Sequence, residues 1–311
     1  MDLLVEDAFK DFKSKLELSK TFQDAVSTHH NALRSWIELN NPNIETQLIG
    51  SLQRKTRIQP CNSDNTFDID ILVGLGDFKR WVSSGGVTPT DALDNVENVV
   101  SQSERYRRIG PETNSPAIVL EYSDGIEIEL IPAYLDNIGQ YSDGTITLPK
   151  GRGYWIPKKG KWEIADYNYD AEYITRMNTT SDSYLVPLIK MLKAAKRNLF
   201  SQLSSYHLEI LASTIVPLCI KNSKEKGLEI SYPFLIYSFF YLAQEIVKLE
   251  AKIAGSKSPN ADANMTPSEK QNMADQFEKI SNYCGSVLKL QGVVAIKAWN
   301  QLFGYPFPTG G

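Results

Sequence analysis

Two short acidic segments constrain what this chain can fold into more than any other feature. The first, residues 67–73, reads Phe-Asp-Ile-Asp-Ile-Leu-Val. Successive side chains of a β-strand point to opposite faces, so Asp68 and Asp70 would share one face while the apolar side chains occupy the other. Like charges held this close repel each other, and a divalent metal ion with a nucleoside triphosphate is a common way to neutralise them. The pattern therefore predicts a strand that carries a metal-binding pair.

The second acidic segment, residues 126–133, reads Ile-Glu-Ile-Glu-Leu-Ile-Pro-Ala. On a neighbouring strand, a third carboxylate would complete a two-metal clamp that stabilises the attacking and leaving oxygens of a phosphoryl displacement. Glu129 is the best candidate for this ligand. Glu127 is its nearest competitor, because the same alternation places it on the same face.

A glycine-serine turn precedes both acidic segments. Gly50 and Ser51 can supply backbone amides and a hydroxyl that hold phosphate oxygens. Each feature alone is weak, because Asp-x-Asp pairs also occur at solvated strand ends and Gly-Ser occurs in many turns. Their order along the chain, turn, aspartate pair and then acidic strand, is typical of a nucleotidyltransferase.

The remaining pattern predicts an α+β fold. Apolar residues between 5 and 40 mostly follow one stripe of a long helix. Residues 44–175 show short apolar runs broken by turns, including 142–144, which indicates a mixed sheet with flanking helices. Beyond residue 181 the pattern is helical again, and a polar stretch at 255–263 is expected to be a surface loop. The predicted C-terminal helices cover 183–200, 205–222, 231–253, 267–284 and 286–303.

Composition narrows the functional class. The 311-residue chain has a formal net charge of -4, which argues against a protein that coats nucleic acid through bulk positive charge. Its three cysteines, Cys61, Cys219 and Cys284, are far apart, and with three histidines they do not suggest a zinc site. No segment has the length and apolarity of a membrane span. We therefore expect a cytoplasmic monomer that has no stable nucleic acid partner and is not associated with a membrane.

These motifs resemble one family of nucleotidyltransferases, the CD-NTases. The family includes cyclic GMP-AMP synthase, oligoadenylate synthase and the bacterial cyclic-oligonucleotide synthases of antiphage defence. The segments that carry the resemblance are Gly50-Ser51 with 56–58, Asp68-Ile69-Asp70, 129–133, 188–193, 203–209 and 299–308. The resemblance implies a polymerase-β-like sheet lobe and a helical lobe, bridged by a long N-terminal helix. The implied parts are a spine helix at 1–40, a catalytic lobe at 41–178 and a helical lobe at 179–311.

The resemblance also implies a role for each site residue. Asp68 and Asp70 would bind two Mg²⁺ ions, for which Mn²⁺ can substitute, and Glu129 would hold the ion that activates the attacking hydroxyl. Three further residues would contact the triphosphate, Ser51, Lys193 and Ser205, and Tyr206 would stack on the base. From the residues alone, Lys193 could equally lie on a solvated helix face, Ser205 could be a helix cap and Tyr206 ordinary packing. His207 is expected to be a satisfied structural histidine rather than a catalytic base.

Two departures from the family pattern stand out. Sixteen residues separate Ser51 from Asp68, several more than is usual, so 60–66 should form an extra loop, with Asp64 on its surface rather than at the metal site. Glu129 stands where the family usually has aspartate, and the added methylene moves the carboxylate. A weakened or inactive enzyme is therefore one of the alternatives.

The expected reaction joins nucleoside triphosphates into a cyclic di- or oligonucleotide that a downstream effector recognises. Two alternatives are a linear transferase acting on RNA or tRNA ends and a catalytically dead nucleotide-binding regulator. The chain ends Gly310-Gly311, so conjugation through Gly311 to a target protein is a second hypothesis beside a frayed end. Seven basic residues either line the rim of the cleft or are solvated surface: Arg54, Lys55, Arg57, Arg152, Lys158, Lys159 and Lys161.

Overall fold

The fold is known from a computed structural model that describes residues 2–61, 66–136 and 153–310. Four sequence features lie outside these ranges, namely Asp64, the turn at 142–144, Arg152 and Gly311. Within the described ranges, no helix combines the length and the apolarity needed to cross a membrane.

A mixed sheet of seven described strands forms the first half of the molecule. β2 and β5 run parallel at its centre, and every other pairing is antiparallel. The main order is β1-β2-β5-β4-β3, and a β6-β7 hairpin extends from the far end of β5. The strands are β1 (Glu45–Leu48), β2 (Phe67–Asp77), β3 (Glu112–Asn114), β4 (Ala117–Glu121), β5 (Ile126–Leu135), β6 (Tyr154–Lys158) and β7 (Lys161–Ala165).

Helices flank the sheet and form the second half of the molecule. The α+β class and the mixed sheet predicted from the sequence are confirmed. The predicted start of a helix at 267 is also confirmed, because Thr266 and Glu269 form a capping box there. The helices are α1 (Leu3–Lys15), α2 (Lys20–Asn40), α3 (Gly50–Gln53), α4 (Pro89–Ser101), α5 (Glu104–Ile109), α6 (Tyr167–Thr180), α7 (Leu185–Leu199), α8 (Ser205–Glu225), α9 (Tyr232–Ile246), α10 (Pro267–Val287) and α11 (Gly292–Phe303), with a short π-helix at Lys79–Ser83.

The N-terminal stripe predicted as one helix over 5–40 forms two helices. The side chain of Ser19 accepts a hydrogen bond from the amide of Phe22, 3.3 Å away, and so caps a new helix after the break at 16–19. α1 buries its apolar side chains in the helical half, whereas α2 buries its own against the sheet. The predicted bridge between the lobes is therefore present, with the 21-residue α2 as its long helix. The boundaries at 40 and 178 stay a prediction.

An aromatic cluster fastens the N-terminal helix to the C-terminal segment. Phe9 lies 5.3 Å from Trp299 and 5.1 Å from Phe307 between ring centroids, both edge to face. Phe12 lies 5.0 Å from Phe307. Edge-to-face aromatic pairs add to the stabilisation that burial itself provides. The two ends of the described chain thus meet in one core.

Candidate active site

The strand register brings the predicted carboxylates together. In the parallel pairing of β2 with β5, Asp70 lies opposite Glu129 and Asp68 opposite Glu127. The side chains of Asp70 and Glu129 are close enough that each shifts the pKa of the other. All four side chains are on the sheet face that is less buried, because the apolar residues between them fill the core on the other face. The register therefore places acidic residues of two neighbouring strands side by side, and their role as metal ligands stays a prediction.

Crowding and burial raise the proton affinity of this cluster. Burial raises the pKa of Asp68 and of Asp70, although the Arg54 guanidinium partly offsets the effect on Asp70. Burial and the negative charges of Asp70 and Asp68 raise the pKa of Glu129 to about 7. The family to which these motifs point uses divalent metal ions. Carboxylate oxygens whose negative charge is not fully neutralised are suitable ligands for such ions. Within the described ranges, no three His, Cys, Asp or Glu side chains are grouped closely enough to hold a metal ion.

Gly50 lets the preceding turn approach Asp70 closely. A Cβ atom at Gly50 would lie 1.8 Å from Asp70 Oδ2, and the residue has a φ of +65°, in the left-handed region. The amide of Ile49 donates to the backbone oxygen of Asp70 at 3.0 Å, which holds the turn against β2. Gly50 begins α3 and Ser51 follows it. The glycine-serine turn thus lies directly against Asp70, and its role in holding phosphate stays a prediction.

Two cavities flank the acidic cluster and divide the predicted binding residues between them. Gly50, Asp70 and Tyr206 line a cavity of about 760 Å³. A smaller cavity of about 230 Å³ is lined by Asp68 and by all three residues predicted to contact triphosphate, Ser51, Lys193 and Ser205. Three more cations, Arg57, Lys196 and Arg197, line the smaller cavity. The smaller cavity is therefore the more basic of the two.

Lys193 forms a buried ion pair rather than pointing free into its cavity. Its ammonium lies 2.6 Å from Glu209 Oε1 and donates to the backbone oxygen of Thr56 at 3.0 Å. Glu209, which has no exposed surface, also lies 2.5 Å from the Arg54 guanidinium. Arg54 was expected either on the cleft rim or as solvated surface. It lines the larger cavity, but it is not solvated surface, because only 9% of its surface is exposed. The triphosphate role of Lys193 stays a prediction.

One face of the Tyr206 ring and its hydroxyl group each contact a charged residue. The Arg54 guanidinium lies 5.2 Å from the centroid of its ring and covers one face. Its hydroxyl donates to Asp170 Oδ2 at 2.6 Å. Burial and the Asp170 carboxylate raise the pKa of Tyr206 above its ordinary value. The hydroxyl therefore stays protonated. Base stacking by Tyr206 remains a prediction, and it concerns the face opposite Arg54.

The neighbours of Tyr206 on α8 differ from expectation in two details. The cap of α8 is Ser204, whose side chain accepts from the amide of His207 at 3.0 Å, so Ser205 is not the cap. His207 is buried, and burial lowers its pKa to about 4, which suits a structural residue rather than a general base. It is not satisfied, however, because neither ring nitrogen has a hydrogen-bond partner among the described residues.

The predicted basic rim is only partly formed. Lys158, Lys159 and Lys161, on the β6-β7 hairpin, line the larger cavity. Lys55 lines neither of these two cavities, and Arg57 lines the smaller one. The hairpin thus places three lysines at the large cavity, whereas Lys193 lines the smaller one.

The segment 255–263 is not the surface loop that its polarity predicts. Ser256, Ser258 and Asp262 are buried in it. Ser258 donates to Asp170 Oδ2 at 2.8 Å and accepts from the amide of Asp166 at 2.8 Å. The polar residues of this loop therefore satisfy buried carboxylate and backbone groups of α6, which periodicity alone could not reveal.

The arrangement of a mixed sheet, a glycine-serine turn and paired strand carboxylates defines a nucleotidyltransferase type of site. Residues 3–178 match the family model described as "Second Messenger Oligonucleotide or Dinucleotide Synthetase domain", which covers more than half of the chain. The chain belongs to this family of nucleotidyltransferases that synthesise oligonucleotide or dinucleotide second messengers. The family and the enzyme class predicted from the sequence are confirmed. No curated protein matches the chain by sequence.

Solved structures with the same fold share little sequence with the chain. The Escherichia coli MS115-1 CdnC structure with ATP has a TM-score of 0.71 at 14% identity, with 99% of each chain covered. Bradyrhizobium diazoefficiens CdnG in complex with GTP has a TM-score of 0.69 at 12% identity and 96% coverage of each chain. Escherichia coli DncV bound to 3'-deoxy GTP has a TM-score of 0.68 at 12% identity, covering 94% of this chain and 93% of that one. These likenesses confirm the fold.

Proposed function

We propose that this chain joins nucleoside triphosphates into a cyclic di- or oligonucleotide second messenger and releases pyrophosphate. The observation that carries the proposal is the register of β2 with β5, which brings Asp70 opposite Glu129 with Asp68 beside them. The glycine-serine turn packs against this cluster, and a cavity large enough for nucleotides opens on it. Family membership supports the same reaction.

The proposed metal ligands are Asp68, Asp70 and Glu129. Their oxygens would hold two Mg²⁺ ions, replaceable by Mn²⁺, which supply charge neutralisation for the phosphates and for the attacking oxygen. Raised pKa values in the cluster favour this assignment, because bound cations would let all three carboxyls ionise together. We assign the proton of the attacking hydroxyl to the ionised Glu129 carboxylate.

In the proposed reaction, a ribose hydroxyl oxygen of one nucleotide forms a bond to the α-phosphorus of another. The bond from that phosphorus to the bridging β-phosphate oxygen breaks, pyrophosphate leaves, and Glu129 takes the hydroxyl proton. A second transfer of the same kind closes the ring. Positioning and charge neutralisation account for most of the rate in such reactions, so the residues that hold the triphosphate carry much of the proposal.

For the triphosphate we propose Ser51, Lys193 and Ser205, which line the same small cavity beside Asp68. Phosphate binding would draw the Lys193 ammonium away from Glu209 or share it between the two anions. The base would stack on the face of Tyr206 opposite Arg54. ATP and GTP are the first substrates to test, because CdnC and CdnG, which share this fold, are seen with those nucleotides.

Labelled nucleoside triphosphates test the proposal directly. Purified protein is incubated with α-labelled nucleotides and Mg²⁺ and then treated with phosphatase. A cyclic product keeps its label, a linear product loses its terminal phosphates, and a dead regulator yields neither. Asp70→Asn should abolish the product, whereas Glu104→Gln, in an exposed pair with Arg108, should not. Full synthesis by the Asp70→Asn protein would rule out the metal assignment.

We further propose that the product activates an effector in antiphage defence. The support is the resemblance of the motifs to the bacterial synthases of such systems. A host that carries the native locus should lose resistance to phage when Asp70 is replaced by Asn, and unchanged resistance would contradict this role. Conjugation through Gly311 stays a separate prediction, which mass spectrometry of the native C-terminus tests.

A further inference from the structure

Asp170, on α6, is a buried carboxylate at the wall of the large cavity. Only 3% of its surface is exposed, and it lines the same cavity as Gly50, Asp70 and Tyr206. One of its oxygens, Oδ2, is fully engaged, because Tyr206 donates to it at 2.6 Å and Ser258 at 2.8 Å. These two hydroxyl donors fix the plane in which the carboxylate lies.

The other oxygen of this carboxylate is unsatisfied. Asp170 Oδ1 is buried and has no hydrogen-bond partner within the described ranges. Buried acceptors are nearly always paired, and an unpaired one destabilises the site until a donor reaches it. Asp166, which precedes α6 as its N-cap residue, is also buried, and its carboxylate offers acceptors rather than a donor. The empty acceptor position therefore suits a ligand that brings an N–H group.

The geometry of Tyr206 places that ligand. Arg54 covers one face of the ring, so a stacked base would have to take the opposite face. The hydroxyl edge of the ring is 2.6 Å from Asp170, which puts the carboxylate beside the edge of any base lying on the ring. This step rests on the base stacking that the proposed function assigns to Tyr206.

We propose that Asp170 Oδ1 accepts a hydrogen bond from an amino group of the stacked base, and that Asp170 thereby selects amino-bearing bases over uracil. An ionised carboxylate only accepts hydrogen bonds. Adenine, guanine and cytosine each carry an exocyclic amino group that donates. Uracil offers one N–H between two carbonyl oxygens, which repel a carboxylate. Sites built to pair with a donor reject analogues without it strongly.

Matched nucleotide pairs test the inference on the unmodified protein. Titration calorimetry with Mg²⁺ compares ATP with purine riboside triphosphate, GTP with inosine triphosphate and CTP with UTP. The members of each pair differ at the amino group. We expect at least one pair to differ by about tenfold or more in dissociation constant, as the loss of one hydrogen bond to a charged group implies. Affinities equal within threefold in all three pairs would overturn the inference.

Asp170→Asn sharpens the test because it should reverse the preference. The amide oxygen must still accept from Tyr206 and Ser258, so the amide nitrogen takes the position of Oδ1 and presents donors to the cavity. The affinity for inosine triphosphate should then rise relative to that for GTP, and the affinity for UTP should rise relative to that for CTP. Glu172→Gln, an exposed change on the same helix, should leave every ratio as in the unmodified protein. Unchanged ratios in a folded Asp170→Asn protein would also overturn the inference.

The outcome is separable from that of the proposed function. A protein that discriminates within the pairs but forms no labelled product keeps the Asp170 inference and loses the synthase proposal. If the protein forms cyclic product but binds the members of every pair equally, the synthase proposal stands and the Asp170 inference is lost.

Discussion

Removing the charge of Glu209 should destabilise the whole protein. This carboxylate is fully buried between two cations, Arg54 at 2.5 Å and Lys193 at 2.6 Å, and it also accepts from Thr56 at 2.8 Å. Burial would raise its pKa, but the two cations outweigh burial and lower it to about 2. Relative to the ordinary value of 4.5, this corresponds to about 3 kcal/mol of stabilisation at neutral pH.

The Lys193 side of the pair reduces that figure. Burial lowers the pKa of Lys193 despite its contact with Glu209, so holding this ammonium inside the protein offsets part of the gain. Once Glu209 is neutral, Lys193 can lose its proton, whereas Arg54 cannot. We therefore expect Glu209→Gln to lower the free energy of unfolding by about 2 to 3 kcal/mol at pH 7.

Urea unfolding followed by circular dichroism measures this loss. The matched control is Glu104→Gln, which breaks an exposed glutamate-arginine pair and should change stability by less than about 0.5 kcal/mol. Because the folded-state pKa of Glu209 is depressed, its contribution is complete above pH 4.5 and disappears as the pH falls toward 2. The difference in free energy of unfolding between the unmodified protein and Glu209→Gln should become smaller as the pH falls over that interval. A loss below about 1 kcal/mol at pH 7, or a difference independent of pH, would refute the reasoning.

Three further predictions address the site and the core. Gly50→Ala should remove nearly all synthesis, because its Cβ would collide with Asp70 Oδ2; product formation within about twofold of the unmodified protein would show that the turn is not rigid. Glu129→Gln should lower kcat by at least about a hundredfold, as loss of an electrostatic stabiliser does, and an unchanged kcat would point to Glu127 instead. Phe307→Ala should cost about 3 kcal/mol in a urea titration, because Phe307 packs between Phe9 and Phe12; a loss below about 1 kcal/mol would mean that the C-terminal segment adds little to the core.

The acidic strands could be read from the sequence because their geometry is local. Alternation along β2 places Asp68 and Asp70 on one face whatever the strand packs against. The assignment of Glu129 needed one further step, that its segment pairs with β2, and the parallel register supplies it. The fold class could be predicted in the same way, because apolar residues recur with one period in strands and with a longer period in helices.

The break in the N-terminal helix could not be read from the same periodicity. Residues on both sides of 16–19 follow a helical stripe, but α1 and α2 face different cores. An apolar stripe indicates that one face of a helix is buried, but it does not indicate which neighbouring element buries that face. Ser19, a good capping residue, was the available local signal for a new helix.

Arg54 and Glu209 show why the rest of the site was out of reach. They are 155 positions apart in sequence, and each alone is typical of a solvated surface. Only the fold, which brings Arg54 at the end of α3 beside Glu209 on α8, turns them into a buried pair. Glu209 also engages Lys193, which a triphosphate would have to recruit. The ion pair therefore links the glycine-serine turn of the sheet half to the helices that would hold the nucleotide, so the two halves of the site depend on a contact that no local pattern encodes.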